Sequence, residues 1–226
     1  MIQGKRKAIT FSYVDGVFQD KRLLKIFNEY GLKGTFNLNS NLFENRHPTI
    51  YNHICVTEKE AAEIYRGHEL AVHTLTHPLL TQVSKEEIIR QVEEDRKNLE
   101  RIGGEPVVGM AYPCGPTNDF VKDVLAKHTK MQYARTVRAT HDFKRQTEDL
   151  LALNPTAHHL EDCIFDLAER FLSLETEEDA VFYIWGHSYE FDHSDSWGKI
   201  EKLCKMISGK DDIAYVTNKE IYAKNV

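Results

Sequence analysis

The sequence lacks the features that define several large classes of protein. Its 226 residues include only four cysteines, and no two of them form a C-x-x-C pair. Neither a zinc knuckle nor a small disulfide framework is therefore indicated, and free thiols are expected. Glycine and proline are scarce, at 12 and 6 residues, and no segment rich in them divides the chain. We therefore expect a single domain over residues 1–226.

Excess positive charge and long apolar runs are also missing. Lys and Arg total 29 against 35 Asp and Glu, so the formal net charge is −6. Nucleic-acid partners are not expected, because such binding relies on cations that displace phosphate counterions. No segment approaches the roughly 18 apolar residues of a membrane span, and the N-terminal residues show no signal-peptide pattern. The expected location is therefore cytoplasmic, without a membrane partner.

What the sequence does contain is an alternation of two kinds of segment. Short apolar runs, such as residues 8–14 and 180–185, alternate with amphipathic segments, such as residues 22–30 and 84–101. This alternation predicts parallel strands joined by helical crossovers. About seven β/α units favour either a closed barrel of slightly fewer than eight units or a doubly wound sheet. A short strand over residues 150–153 and a helix over residues 160–172 are among the predicted elements.

Residues suited to chemistry follow the predicted strands. Ligand sites of parallel β/α folds gather at the carboxyl ends of strands. Asp15 follows the first predicted strand, His73 ends the third, Cys114 follows the fourth and His187 follows the most apolar one. We therefore expect these side chains to lie at the same rim of the fold.

His73 and His77 form the sharpest pair at that rim. Their spacing of four predicts that both lie on one face of a helical turn, where two nitrogens bind one metal at about 2.0–2.1 Å. Asp15 would complete a two-His, one-carboxylate site with positions left for water, which is typical of a catalytic metal. The alternative is one buried and one exposed histidine without a ligand role. The placement of Asp15 after a strand favours the metal.

Four segments resemble, in the same order, the motifs of the polysaccharide deacetylases. They are Thr10-Phe11-Ser12-Tyr13-Val14-Asp15-Gly16, His73-Thr74-Leu75-Thr76-His77, Ala111-Tyr112-Pro113-Cys114-Gly115 and Trp185-Gly186-His187. Each motif alone is a weak signal, but four in order at strand ends make a specific one. The resemblance covers about residues 8–217 and implies the NodB-homology fold, a distorted (β/α)7 barrel.

The resemblance implies a role for each matching position. Asp15, His73 and His77 would bind one divalent metal, usually zinc, although cobalt, nickel or manganese is also accepted. His187 matches the general acid, and the Asp that tunes it in the family is matched most nearly by Asp149. The main-chain N–H of Cys114 would face the oxyanion.

Aromatic side chains near the predicted rim could stack on a sugar ring. The candidates are Tyr112, Trp185 and Tyr189, and the neighbours of Trp185 make it the strongest of the three.

Two positions depart from the family pattern. The general-base Asp is replaced by Val14, which cannot accept a proton, and the Arg that holds this base is replaced by Ala111. The changes are consistent with each other, because an Arg without its carboxylate would be a costly buried charge. His158 or His159 could supply the missing proton acceptor. Adjacent residues of a strand point to opposite faces, so at most one of the two is expected to reach the site.

Three functional hypotheses follow. The first is a metal-dependent deacetylase acting on an N-acetylated or O-acetylated oligosaccharide or polysaccharide. The second, favoured by Val14, is a non-catalytic relative that retains the pocket and binds a saccharide. The third is a hydrolase of a small non-sugar amide, which would suit a cytoplasmic location.

Overall fold

A parallel sheet forms the centre of the computed structural model, which describes residues 1–45 and 53–224. The described strands are β1 (Lys7–Val14), β2 (Gly34–Leu38), β3 (Glu69–Val72), β4 (Gly109–Ala111), β5 (Tyr133–Arg135), β6 (Ala157–His158), β7 (Ala180–Gly186) and β8 (Ile213–Tyr215). Their order across the sheet is β5-β4-β3-β2-β1-β7-β6, and β8 pairs with the first half of β1.

Eight described helices surround the sheet. They are α1 (Asp20–Glu29), α2 (Glu58–Ile64), α3 (Lys85–Gly103), α4 (Asp119–His128), α5 (Ile164–Leu172), α6 (Glu190–His193), α7 (Trp197–Ile207) and α8 (Asn218–Tyr222). A reciprocal capping box between Thr57 and Glu60 starts α2, and Ser84 caps α3 by accepting the N–H of Glu87. Such caps satisfy amide donors that have no partner within the helix.

The sheet curls into an incomplete barrel, which confirms the predicted distorted barrel fold. Its two edges, β5 and β6, are brought near each other by one stretch of chain. Leu153 forms a parallel bridge with Arg135 of β5, and Ala157 pairs with Ile184 of β7. The carboxyl ends of the parallel strands consequently point to a common rim.

Alternating residues of β1 separate an outer core from an inner one. Ile9, Phe11 and Tyr13 belong to the apolar cluster between sheet and helices, whereas Ala8 belongs to a smaller inner cluster. Because side chains alternate along a strand, Val14 lies on the same inner face as Ala8. The inner cluster includes Tyr222 of α8.

The sequence-based elements were wrong in several places. The predicted strand at residues 150–153 is a 3-10 turn over Leu150–Ala152, and the short strand lies later, at Ala157–His158. A four-residue apolar run does not distinguish a strand from a buried turn. The helix expected from residue 160 begins at Ile164, and α6 and α8 were not predicted. The sequence also predicts one long irregular loop over residues 40–56, and residues 46–52 of it lie outside the described residues.

No helix within the described parts of the chain is both long and apolar enough to cross a membrane.

Candidate metal centre

Four residues at the rim adopt a left-handed backbone. Their φ angles are 77° at Asp15, 69° at Thr74, 60° at His77 and 58° at Cys114. Non-glycine residues seldom adopt positive φ, and such strain persists where surrounding contacts fix the backbone. Backbone strain of this kind clusters at binding and catalytic sites, so its concentration here marks the rim as functional.

Three side chains converge at this rim. Oδ1 of Asp15 lies 3.4 Å from Nε2 of His73 and 3.7 Å from Nε2 of His77. Ligands bonded to a tetrahedral zinc ion at about 2.0–2.1 Å lie roughly 3.3–3.4 Å from one another. The carboxylate and the two imidazoles therefore have both the chemistry and nearly the spacing of a divalent-metal site.

The orientation of His73 suits a ligand role. Its Nδ1 lies 2.9 Å from the carbonyl oxygen of Ala111, which accepts but cannot donate a hydrogen bond. The proton therefore resides on Nδ1, and the lone pair of Nε2 faces Asp15. The main-chain N–H of His73 donates to Asp95, a buried residue of α3. Asp95 lies on the inward side of α3, between Val92 and Leu99, so this partner could have been found from helical periodicity.

The expected helical turn between the two histidines is wrong. Residues 73–77 form a loop that is held by Gln91 of α3, whose main-chain oxygen accepts from Leu75 and whose side-chain oxygen accepts from Thr76. Pro78 disfavours a right-handed helical conformation at His77. The two imidazoles meet because of this loop, not because of a spacing on one helical face.

Asp15 is held in its charged form. Burial opposes ionisation of Asp15, but its close contact with His73 and its electrostatic interactions with His73, His187 and His77 outweigh burial and keep the pKa of Asp15 well below its ordinary value. The rim therefore presents a carboxylate to the two imidazoles.

His187 lies across from Asp15, with Nε2 4.0 Å from Oδ2. Its other nitrogen, Nδ1, lies 3.1 Å from Oε2 of Glu190. Asp149, the residue expected to tune His187, is half exposed and lies 2.8 Å from Nζ of Lys122 instead. The structure thus does not bring Asp149 to His187, and Glu190 is the neighbouring carboxylate. Its position three residues after His187 was a local signal that sequence reasoning missed.

Position 14 places no proton acceptor at the rim. Val14 is buried and pairs with Asn37 of β2. Ala111, where the resemblance called for Arg, lies in register with Arg135 of β5. Arg135 is 1% exposed, and its Nε donates to Ser12, which shares the inner face of β1 with Val14.

Arg135 places a cation in the barrel interior. Its guanidinium lies 4.6 Å from the centre of the Trp185 ring. Burial lowers the pKa of Arg135 to about 10, which still leaves the side chain charged at neutral pH. Within the described residues, no carboxylate forms an ion pair with it. Strand β5 therefore supplies a buried guanidinium next to position 111, where the resemblance implied one and the sequence has Ala.

The expected substrate-facing residues differ in their placement. Cys114 is exposed in a tight turn that is closed by the hydrogen bond from Gly115 N to Tyr112 O, at 2.9 Å. Gly115 is required there, since a Cβ would lie 2.3 Å from Val137. Tyr112 is 1% exposed and its hydroxyl donates to Leu151 O, so it packs in the core and cannot stack on a sugar. Trp185 is half-buried, with its ring 5.6 Å from that of His187.

The two adjacent histidines do not point to opposite faces. Nε2 of His158 and Nε2 of His159 lie 3.0 and 3.1 Å from the same oxygen of Glu190. The strict alternation of a strand does not apply, because β6 ends at His158. Both histidines therefore face Glu190, and His159 is also buried against the hydroxyl of Tyr13.

Solved structures with similar folds are deacetylases and their relatives. A putative polysaccharide deacetylase from Mycobacterium smegmatis aligns with a TM-score of 0.68 and 17% identity, over 96% of this chain and 89% of that one. A pseudoenzyme of the CE4 family from Bacillus anthracis aligns with a TM-score of 0.57 and 16% identity, over 96% and 65%. A mutant of that pseudoenzyme is described as having restored enzymatic activity.

The Streptococcus pyogenes deacetylase PplD, solved with acetate, aligns with a TM-score of 0.54 and 23% identity over 63% of this chain. The chain spans 61% of that protein's length, and 44% of the length of two similar Bacillus polysaccharide deacetylases. At these identities the likenesses establish the fold.

No functionally curated protein matches the chain. A sequence model of polysaccharide deacetylases matches residues 2–134, more than half of the chain. The chain therefore belongs to the polysaccharide deacetylase family.

Proposed function

We propose that this protein is a metal-dependent hydrolase that removes acetyl groups from N-acetylated or O-acetylated saccharides. The observation that carries the proposal is the convergence of Asp15, His73 and His77 opposite His187. Three ligand atoms lie together, and an imidazole nitrogen lies 4.0 Å from the Asp15 carboxylate. Family membership and the acetate-bound Streptococcus relative support acetyl transfer to water.

Asp15, His73 and His77 would hold one divalent cation, because two imidazoles and a carboxylate suit zinc and also accept cobalt, nickel or manganese; zinc is the metal that the family resemblance favours. When bound, the cation polarises the acetyl carbonyl and lowers the pKa of water toward about 7. Ala111 fixes the tautomer of His73 through its carbonyl oxygen. The main-chain N–H of Cys114, in its exposed left-handed turn, is the proposed donor to the developing oxyanion.

His187 is the proposed proton carrier, because Val14 offers no base. Nε2 of His187 would take a proton from water as the water oxygen bonds to the acetyl carbon. The same Nε2 would give that proton to the leaving nitrogen or oxygen as its bond to carbon breaks. His187 is then restored, and the second water proton leaves with the product as acetic acid, which ionises to acetate in solution, so protons and bonds balance.

Val14 favours a second candidate function, a non-catalytic member of the family that binds a saccharide. A missing base typically costs about 10²- to 10⁴-fold in rate. The Bacillus anthracis relative shows that proteins of this fold include one described as a pseudoenzyme. In this case Trp185, half-buried beside His187, would contact the sugar ring without turnover.

The test is acetate release by zinc-loaded protein on N-acetylglucosamine oligomers, acetylated xylan fragments and small non-sugar acetamides. Release from the sugars that falls at least about 100-fold in His187→Ala, but not in His128→Ala, supports the proposal. His128 is an exposed residue at the end of α4 and controls for the loss of an imidazole. Sugar binding without any acetate would favour the non-catalytic function, and turnover of the non-sugar amides alone would reassign the substrate.

A further inference from the structure

One oxygen of Glu190 lies at the centre of a cluster of three histidines. Oε2 lies 3.0 Å from Nε2 of His158, 3.1 Å from Nε2 of His159 and 3.1 Å from Nδ1 of His187. The same oxygen accepts the main-chain N–H of His187 at 3.0 Å. A carboxylate three residues after His187 thus contacts both its backbone and its ring.

The cluster is fixed to the barrel by His159. The side chain of His159 is fully buried, and its Nδ1 lies 2.8 Å from the hydroxyl of Tyr13 in β1. Gly186 of β7 leaves room for this ring, since a Cβ there would lie 2.3 Å from Nδ1 of His159. The carboxylate is therefore placed by β1 and β7, the strands that carry Asp15 and His187 at their ends.

Glu190 is held as an anion. Its partial burial opposes ionisation, but its contacts with the three imidazoles outweigh it and keep the pKa of Glu190 far below the ordinary value. An anionic carboxylate accepts hydrogen bonds and cannot donate them. A neutral His187 beside it is therefore favoured in the tautomer that carries its proton on Nδ1.

The same residues could in principle bind a second metal, since His158, His159 and Glu190 offer three ligand atoms. The tautomer of His158 argues against this. Its Nδ1 accepts the main-chain N–H of Leu160, so neutral His158 carries its proton on Nε2, the nitrogen that faces Glu190. A protonated nitrogen donates a hydrogen bond and cannot ligate a metal.

We propose that Glu190 is the positioning residue of His187. It holds the proton on Nδ1 and so presents the lone pair of Nε2 toward the Asp15 centre. This inference rests on the proposed function, in which Nε2 takes a proton from water. The ring Nδ1–H of His187 is poorly aligned with the Glu190 oxygen, and catalytic hydrogen bonds often tighten only in the complex with substrate. Glu190 takes the place expected of Asp149, from the turn that follows β7.

The test is to measure the His187 tautomer in zinc-loaded protein by long-range ¹H–¹⁵N NMR, with His187→Gln used to assign its signals. Wild-type protein is expected to show the Nδ1–H form. Glu190→Leu, which removes the acceptor, is expected to raise the Nε2–H form to at least half of the population. Glu190→Gln keeps an oxygen and is expected to retain the wild-type tautomer. Glu190→Ala removes the same oxygens with a smaller side chain and replaces the Leu variant if that does not fold.

Glu220→Leu is the matched control. Glu220 also accepts the N–H of the residue three before it, Thr217, but at the start of α8. Both variants lose a comparable cap, so both are expected to lose stability. Only the Glu190 variant is expected to change the tautomer of His187.

The kinetic readout separates positioning from substrate binding. Glu190→Leu is expected to lower kcat at least about tenfold with KM changed less than about twofold. An unchanged His187 tautomer in both the Leu and the Ala variants would overturn the inference. Two zinc equivalents in the unchanged protein and only one in the Glu190 variants would also overturn the inference. Absence of acetate release with the expected change of tautomer would refute the proposed function and leave the positioning role of Glu190 intact.

Discussion

Arg135 lies in register with Ala111 across the parallel ladder between β4 and β5. Its Nε bonds Ser12, which is two residues before Val14 on the same face of β1. A guanidinium therefore remains in the barrel interior near position 14, although Ala111 itself offers none. An Asp introduced at position 14 would therefore have a buried guanidinium available as its partner.

Val14→Asp is expected to cost less stability beside Arg135 than without it. In a double-mutant cycle with Arg135→Met, the coupling free energy should be about 1 kcal/mol or more in favour of the Asp–Arg pair, because an unpaired buried carboxylate is costly. Denaturant unfolding of the four proteins at neutral pH measures it. Val14→Asn in the same two backgrounds is the uncharged control and should show no such coupling. Equal costs of Val14→Asp in both backgrounds would show that Arg135 does not reach position 14.

His77→Ala is expected to abolish stoichiometric zinc binding, since it removes one of three protein ligands. Zinc content after dialysis against a limiting zinc concentration measures this. His128→Ala should bind as much zinc as the unchanged protein. Retention of one equivalent by the His77 variant would remove this residue from the ligand set.

The fold was largely predictable, whereas the partners of the site were not. The apolar run of β7 and the capping residues Thr57 and Ser84 are signals within a few neighbouring residues. The structure has a strand at the first, and helices α2 and α3 begin at the other two. The histidine pair was recognised from its spacing, but for the wrong local reason, because Gln91 and not a helical turn shapes the loop. Long-range contacts such as that of Asp95 with His73 depend on packing that the local sequence does not contain.

The same limit applies to the carboxylate beside His187. Asp149 was favoured by its match to a motif, yet its backbone leads into a surface turn where Lys122 pairs with it. Tyr112 was expected at the rim because it follows a strand, but its side chain lies in the core, where its hydroxyl bonds Leu151 O. Sequence position at a strand end therefore predicts the rim and does not predict which way each side chain faces.

Asp95→Asn is expected to weaken zinc binding by about 10- to 100-fold without removing a ligand. Its carboxylate accepts the main-chain N–H groups of His73 and Ser40, and an amide would place N–H groups against one of these donors. Competition with a chelator of known affinity measures the change. Asp123→Asn, on the exposed side of α4, should leave the affinity unchanged. Wild-type affinity in the Asp95 variant would contradict its role in orienting His73.

His68 should make stability depend on pH. Burial, with a smaller effect of the Lys33 charge, lowers the pKa of His68 to about 4 from an ordinary 6.5. Between these values the unfolded chain binds a proton that the folded protein does not, so stability falls as pH decreases from about 6.5 to about 4. The free energy of unfolding of the unchanged protein, compared with that of His68→Gln, should decrease by up to about 1.4 kcal/mol for each unit that the pH falls in this window. A pH-independent difference between the unchanged protein and His68→Gln would contradict the assignment.

The central claim is that Asp15, His73, His77 and His187 form a hydrolytic metal centre that lacks a base at position 14. Its most direct test is acetate release from N-acetylglucosamine oligomers by the unchanged protein and by Val14→Asp, each with its zinc content measured. The account predicts one zinc in both proteins, slow release by the unchanged protein and at least about tenfold faster release by the Asp variant. One bound zinc with no acetate from either protein would contradict it.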